Sequence, residues 1–130
     1  MYATFLNSRA ESVQGPASIL CVDDSEEILE ICQTMLEAAG YQVFTATCGA
    51  EALEILQEHP VEAAVIDNLM PGMNGIELAR EIKSSSGNVF VVMYSGTLRE
   101  NESFPFVDAC LPKGRGPLAL RQLLRSRLEK

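Results

Sequence analysis

The stretch VIDNLMPGMNG, residues 65–75, runs from an apolar strand straight into a carboxylate and a tight loop. The run Ala63 to Ile66 has no polar face, which fits a strand covered on both sides. Asp67 follows at once, and then the turn-forming residues Pro71, Gly72, Asn74 and Gly75. A doubly covered strand that ends on an acid at the lip of a loop implies a layered fold with chemistry at its edge.

Working outward, strand-like and helix-like segments alternate. Ile19 to Val22 is a short apolar run ending in Asp23-Asp24. Ser25 is a suitable helix N-cap, with Glu26 and Glu27 in the electropositive first turn. Ile28, Ile31, Cys32, Met35, Leu36 and Ala39 follow helical spacing until Gly40. Tyr41 to Ala46 reads as a strand, and Gly49 to Glu58 as a helix with Leu53 and Leu56 inward, stopped by Pro60. Gly75 to Ser84 is a third helix, with Ile76, Leu78, Ala79 and Ile82 apolar. Val89 to Tyr94 is a strongly β-prone fourth strand and Asp108 to Leu111 a weak fifth. Pro117 to Glu129 is a last helix, with Leu120, Leu124 and Leu128 spaced four apart. This alternation predicts a parallel sheet with helices on both faces. Residues 1–17 show no clean period and end near Gln14-Gly15-Pro16, so they are expected to form a loose arm before a domain spanning 18–130.

The gross composition narrows the function. The chain has 130 residues, 47% of them apolar, enough for one domain with a real core. A net charge of −8 argues against non-specific nucleic-acid binding and favours cations or basic partners. Six of the ten Lys and Arg lie from Lys113 onward, so the C-terminal end is locally basic. The cysteines Cys21, Cys32, Cys48 and Cys110 have neither metal-ligand nor redox-motif spacing and read as reduced, small core residues. No apolar run approaches the roughly 18 residues of a membrane span, and no secretion signal is legible, so a cytoplasmic location without membrane contact is expected.

In parallel sheets of this kind ligands bind beyond the C-terminal strand ends, where the strand order reverses. The residues found there are Asp23-Asp24, Asp67, Ser95-Gly96 and Lys113. Singly, each has an ordinary explanation: an Asp after a strand is commonly a turn residue or a helix cap, and a lone Lys a solvated charge. Together they place three carboxylates, a hydroxyl and an ammonium on one rim. Close carboxylates repel unless a cation is present, and an all-oxygen cluster suits Mg²⁺. With Lys113 and Ser95 such an ion would hold a phosphoryl group, leaving Asp67 as both metal ligand and nucleophile.

On these residues the sequence resembles the receiver domain of bacterial two-component response regulators, over 18–130. The resemblance implies a flavodoxin-like, doubly wound five-stranded parallel sheet of order 2-1-3-4-5; a receiver protein is itself a standard example of that order. It also implies that Asp67 is the phosphoacceptor. Asp24 would bind Mg²⁺ directly, Asp23 mainly through water, and the backbone carbonyl of Leu69 would be a further ligand. Met70-Pro71 and Gly75 match the family's loop. Ser95 would be the switch hydroxyl, Gly96 would leave room for the phosphoryl group, and Lys113 would contact it.

Three features depart from the family pattern. Cys110 stands where an aromatic is usual, three residues before Lys113. The family's Lys-Pro pair is replaced by Lys113-Gly114, with the proline at Pro112. Only 18 positions separate Ser95 from Lys113, and RENESFPFV (residues 99–107) has poor helical periodicity, so the family's fourth helix should be short or absent. The implied function is a stand-alone switch rather than an enzyme. It takes a phosphoryl group from a histidine kinase or phosphotransfer protein and signals through a protein partner, with no nucleic-acid contact. The alternatives are a phosphorylation-independent interaction module and an aspartate-nucleophile phosphatase. The second is disfavoured because such enzymes carry another acid where Leu69 stands, and no inserted cap is present. His59, at the end of the second helix, offers no phosphohistidine near the rim.

Overall fold

The computed structural model describes residues 15–99 and 101–129. Nearly all of the expected N-terminal arm therefore lies outside the described residues. Five strands form one sheet: β1 (Ser18–Val22), β2 (Gln42–Ala46), β3 (Ala63–Ile66), β4 (Phe90–Ser95) and β5 (Ala109–Pro112). They are parallel and ordered β2-β1-β3-β4-β5, as expected. The helices are α1 (Glu26–Ala38), α2 (Gly49–Glu58), α3 (Gly75–Ser85) and α4 (Pro117–Leu128). Among the described residues no helix is long and apolar enough to cross a membrane.

The sheet separates two cores. On one face Ile19, Cys21, Val65, Val92 and Tyr94 pack with Leu29, Cys32 and Leu36 of α1 and Leu120 and Leu124 of α4. On the other, Leu20, Val22, Ala64, Ile66 and Val91 pack with Ala52 of α2 and Leu78, Ala79 and Ile82 of α3. Every residue of β3 and β4 is buried, as the uninterrupted apolar runs require.

Helix boundaries follow local chemistry. Ser25 Oγ accepts from the Ile28 N–H at 3.3 Å, capping α1. Asn74 and Glu77 form a reciprocal capping box at α3, with both side-chain bonds 2.9 Å long. Gly40 lies at φ 101° after α1, a left-handed conformation that favours glycine and lets the chain turn back to β2.

Two packing expectations are corrected. The buried stripe of α1 is Leu29, Cys32 and Leu36, whereas Ile31 is 48% exposed and Ala39 is an exposed cap residue. Ile28, Cys32, Met35 and Leu36 of the expected stripe do face the core, and Leu29 joins them in place of Ile31. Cys48 and Cys110 are only half-buried, unlike Cys21 and Cys32, although all four are free thiols. Strands β2, β4 and β5 each begin one residue later than the apolar pattern suggests.

No helix occurs between β4 and β5 among the described residues. Leu98 is buried there, Phe104 is half-buried, and Val107 packs on the α2–α3 side of the sheet. Asn101 and Phe106 both adopt φ 68°, unusual for a side chain as large as Phe, which is 49% exposed. The crossover is closed by a clasp that sequence reading did not anticipate. Asp108 Oδ2 accepts from Lys83 Nζ at 2.7 Å and from the Val91 N–H at 2.8 Å, while Lys83 also donates to the Val89 carbonyl at 2.8 Å. The clasp ties α3, β4 and the start of β5 together where a helix would otherwise span them.

Candidate functional site

The sheet order reverses between β1 and β3, and the acids sit at that reversal. Ladder hydrogen bonding continues past the strands: Asp23 N donates to Ala46 O at 3.1 Å and Asp67 N to Val22 O at 3.0 Å. The backbone carrying both acids is therefore fixed by the sheet. Asp23 and Asp67 are 4% and 6% exposed, while Asp24 is open to solvent.

One carboxylate oxygen from each of Asp23, Asp24 and Asp67 lies within 4.8 Å of the others. Oxygen-only donors of high negative charge at this spacing fit a hard divalent cation such as Mg²⁺. Lys113 Nζ sits 2.6 Å from Asp23 Oδ2 and 3.8 Å from Asp67 Oδ1. Asp23 Oδ1 accepts from the Ser25 N–H at 2.9 Å, so both of its oxygens are engaged. Lys113 is thus no freely solvated charge: it neutralises buried acids.

The Asp67 carboxyl is held above its ordinary range, first by burial and also by the charge of Asp23. Ser95, Lys113 and the Asn68 backbone oppose that rise. Ser95, 1% exposed, lies 3.2 Å (Oγ) from the Thr97 hydroxyl and accepts from the Thr97 N–H at 3.4 Å. Gly96 is exposed, and a Cβ there would meet no heavy atom within 4 Å, so the space beside Ser95 is open. Leu69, two residues past Asp67, is 59% exposed.

The acceptor loop closes directly on α3. Gly75 N donates to Asn68 O at 3.0 Å. A Cβ at Gly75 would lie 2.8 Å from Asn68 Cα and closer still to the Asp67 carbonyl oxygen, so only glycine fits.

Residues 19–105 match the response regulator receiver domain family. The chain belongs to this family. A response regulator, SaeR of Staphylococcus epidermidis, is 33% identical over 85 residues, which are 65% of this chain and 37% of that protein. The chain therefore corresponds to little more than a third of that relative's length. Among solved structures, a CheY-like receiver domain protein from Methanospirillum hungatei superposes with a TM-score of 0.81 at 27% identity, covering 88% of this chain and 95% of that one. The response regulator TrrA of Thermotoga maritima, solved with Mg²⁺ and BeF, gives a TM-score of 0.77 at 27% identity, covering 85% and 97%. The same protein has also been solved in complex with the histidine kinase ThkA.

All the residues expected at the rim from β1, β3, β4 and the segment after β5 are brought to one end of this receiver domain. The interactions missed in the sequence are the Lys83–Asp108 clasp and the double engagement of Asp23. The only advance signal for the clasp was an acid opening a weak strand; nothing marked Lys83 as its partner.

Proposed function

We propose that this receiver domain, residues 18–130, accepts a phosphoryl group on Asp67. The observation that carries the reading is the ammonium of Lys113 set between Asp23 and Asp67 beside a third carboxylate. An Asp67 oxygen attacks phosphorus in line with the leaving group. When the donor is a phosphohistidine, the P–N bond breaks and the departing imidazole takes up a proton. Asp24, Asp67, the Leu69 carbonyl and, through water, Asp23 would hold Mg²⁺. The ion, when bound, supplies charge neutralisation at the phosphoryl oxygens. Lys113 and Ser95 contact those oxygens, and Gly96 leaves them room.

The donor in this reading is a histidine kinase or histidine phosphotransfer protein, a proposal supported by the TrrA–ThkA complex. The product is a phosphorylated switch rather than a turnover enzyme. Leu69 supplies no acid or base to water attacking the aspartyl phosphate. Output passes to a protein partner in the cytoplasm. Cys110 cannot act as an aromatic switch, so the response would pass through the crossover from Gly96 to Val107.

Incubation with acetyl phosphate and Mg²⁺, followed by intact-mass measurement, tests the reading. One phosphoryl group should be gained by the parent and none by Asp67→Asn. Equal labelling of both proteins would defeat it.

A further inference from the structure

Beneath the acidic rim lies a small cavity of about 10 Å³, bordered by Asp23, Asp67, Cys21, Cys32 and Tyr94 among others. Its volume is about that of one water probe sphere, and its polar lining is two carboxylates, two thiols and a phenol. The two thiols are weak donors. Burial, followed by neighbouring charge, pushes Cys32 up to about 11 and Cys21 higher still, so both stay protonated and unreactive.

Tyr94 is the strong donor at this cavity. It immediately precedes Ser95 on β4, and the pleat points the two side chains to opposite faces. Ser95 belongs to the rim, whereas Tyr94 packs in the core shared with α1 and α4. Burial first, then the charges of Cys32 and Asp23, raise the phenol above its ordinary value, so it remains a neutral O–H.

Asp23 has a reason to need such a donor. Its Oδ1 is occupied by the Ser25 N–H and its Oδ2 by Lys113. A lysine that turns to a phosphoryl oxygen on Asp67 withdraws from Oδ2, leaving that buried oxygen no direct protein partner beside the water that would bridge it to Mg²⁺. We propose that Tyr94 is a positioning residue whose phenol donates to Asp23 when Lys113 engages the phosphoryl group. One hydrogen bond replaces another and no covalent bond changes. This role rests on the phosphoacceptor reading above.

The test uses the full chain carrying tyrosine labelled with ¹³C at the ζ carbon, with Mg²⁺ and beryllofluoride as the probe. The Tyr94 signal, identified by its loss in Tyr94→Phe, should shift on saturation. Tyr41, which already donates to Glu129 at 2.9 Å, should not move and serves as the internal reference. Tyr94→Phe keeps the ring in the core, and it should bind beryllofluoride about tenfold more weakly, as expected for losing a hydrogen bond to a charged group. A parent that binds beryllofluoride with no Tyr94 shift, or a Tyr94→Phe variant of parental affinity, overturns the role of Tyr94 alone. A parent that binds no beryllofluoride overturns the phosphoacceptor reading, and this role with it.

Discussion

Lys113 Nζ lies 2.6 Å from the buried Asp23 Oδ2, so the lysine is part of the resting site before any phosphoryl group arrives. Lys113→Ala should therefore do two things. Without metal, it leaves close carboxylates uncompensated and should destabilise the fold by about 1–3 kcal/mol. Added Mg²⁺ should recover much of that loss, since the cation replaces the missing charge. The variant should nevertheless fail to change its amide NMR spectrum with beryllofluoride as the parent does. Thermal melts in EDTA and in Mg²⁺ check the first part, and an unchanged midpoint in EDTA would contradict it.

Asp67→Asn should bind no beryllofluoride, and it should also be more stable than the parent at neutral pH when metal is absent. The raised pKa of Asp67 means that the folded chain holds its proton to higher pH than the unfolded chain, which releases it near 3.8. That contribution to stability is fully present below about 3.8 and is lost as pH rises through the higher folded value. Asparagine carries no such penalty. Melts in EDTA from pH 3 to pH 7 should show the variant's advantage growing with pH.

Asp24 and Asp23 should differ as metal ligands. Asp24 is exposed, whereas Asp23 is already committed to Ser25 and Lys113. Asp24→Ala should weaken Mg²⁺ binding more than Asp23→Ala, because a direct charged ligand is worth more than one acting through water. Calorimetric titration of Mg²⁺ into both variants decides the order.

The clasp at Asp108 should matter for stability rather than phosphorylation. Burial alone would raise this carboxyl. Hydrogen bonds from Lys83 and the Val91 N–H, with the charges of Lys83 and Arg127, hold it below 3.8. Its stabilisation is thus present above about 3.8 and lost as pH falls through the lower folded value. Asp108→Ala should cost about 1–2 kcal/mol at pH 7, with part of that difference disappearing in acid. Denaturant unfolding at both pH values measures it, while Mg²⁺ affinity should stay at the parental value.

Phosphorylation should reorder the crossover. The segment lacks a helix among its described residues, holds Asn101 and Phe106 at positive φ, and begins beside Ser95. Beryllofluoride should change hydrogen exchange between Thr97 and Val107 and along β5, which the crossover enters. Changes limited to the rim would exclude the crossover as the output.

The sheet and the rim were legible in the sequence because both rest on strong local signals. Ala63 to Ile66 admits no polar face, and each acid directly follows a strand. Gly40, Asn74 and Pro117 likewise fix helix ends through their own chemistry. The choice between Ile31 and Leu29 was not legible, because both lie on helical stripes and only tertiary docking separates them. The partners of Asp108 and Lys113 were hidden for a related reason. Ion pairs between distant segments leave no periodicity, so Lys83 and Asp23 acquire their roles only in the folded chain.

Gly75 gives the acceptor loop an uncommon kind of precision. Most positions in a site are held by a group that does something, and replacing that group removes a contact. Here the backbone of Asp67 and Asn68 lies so close against Gly75 of α3 that no side-chain atom fits between them, and a substitution can only force them apart. A saturation scan should therefore find Gly75 as intolerant as the acids themselves, despite its having no reactive atom. Its failures would show as a displaced loop rather than as missing chemistry, and no conservative replacement exists to rescue them.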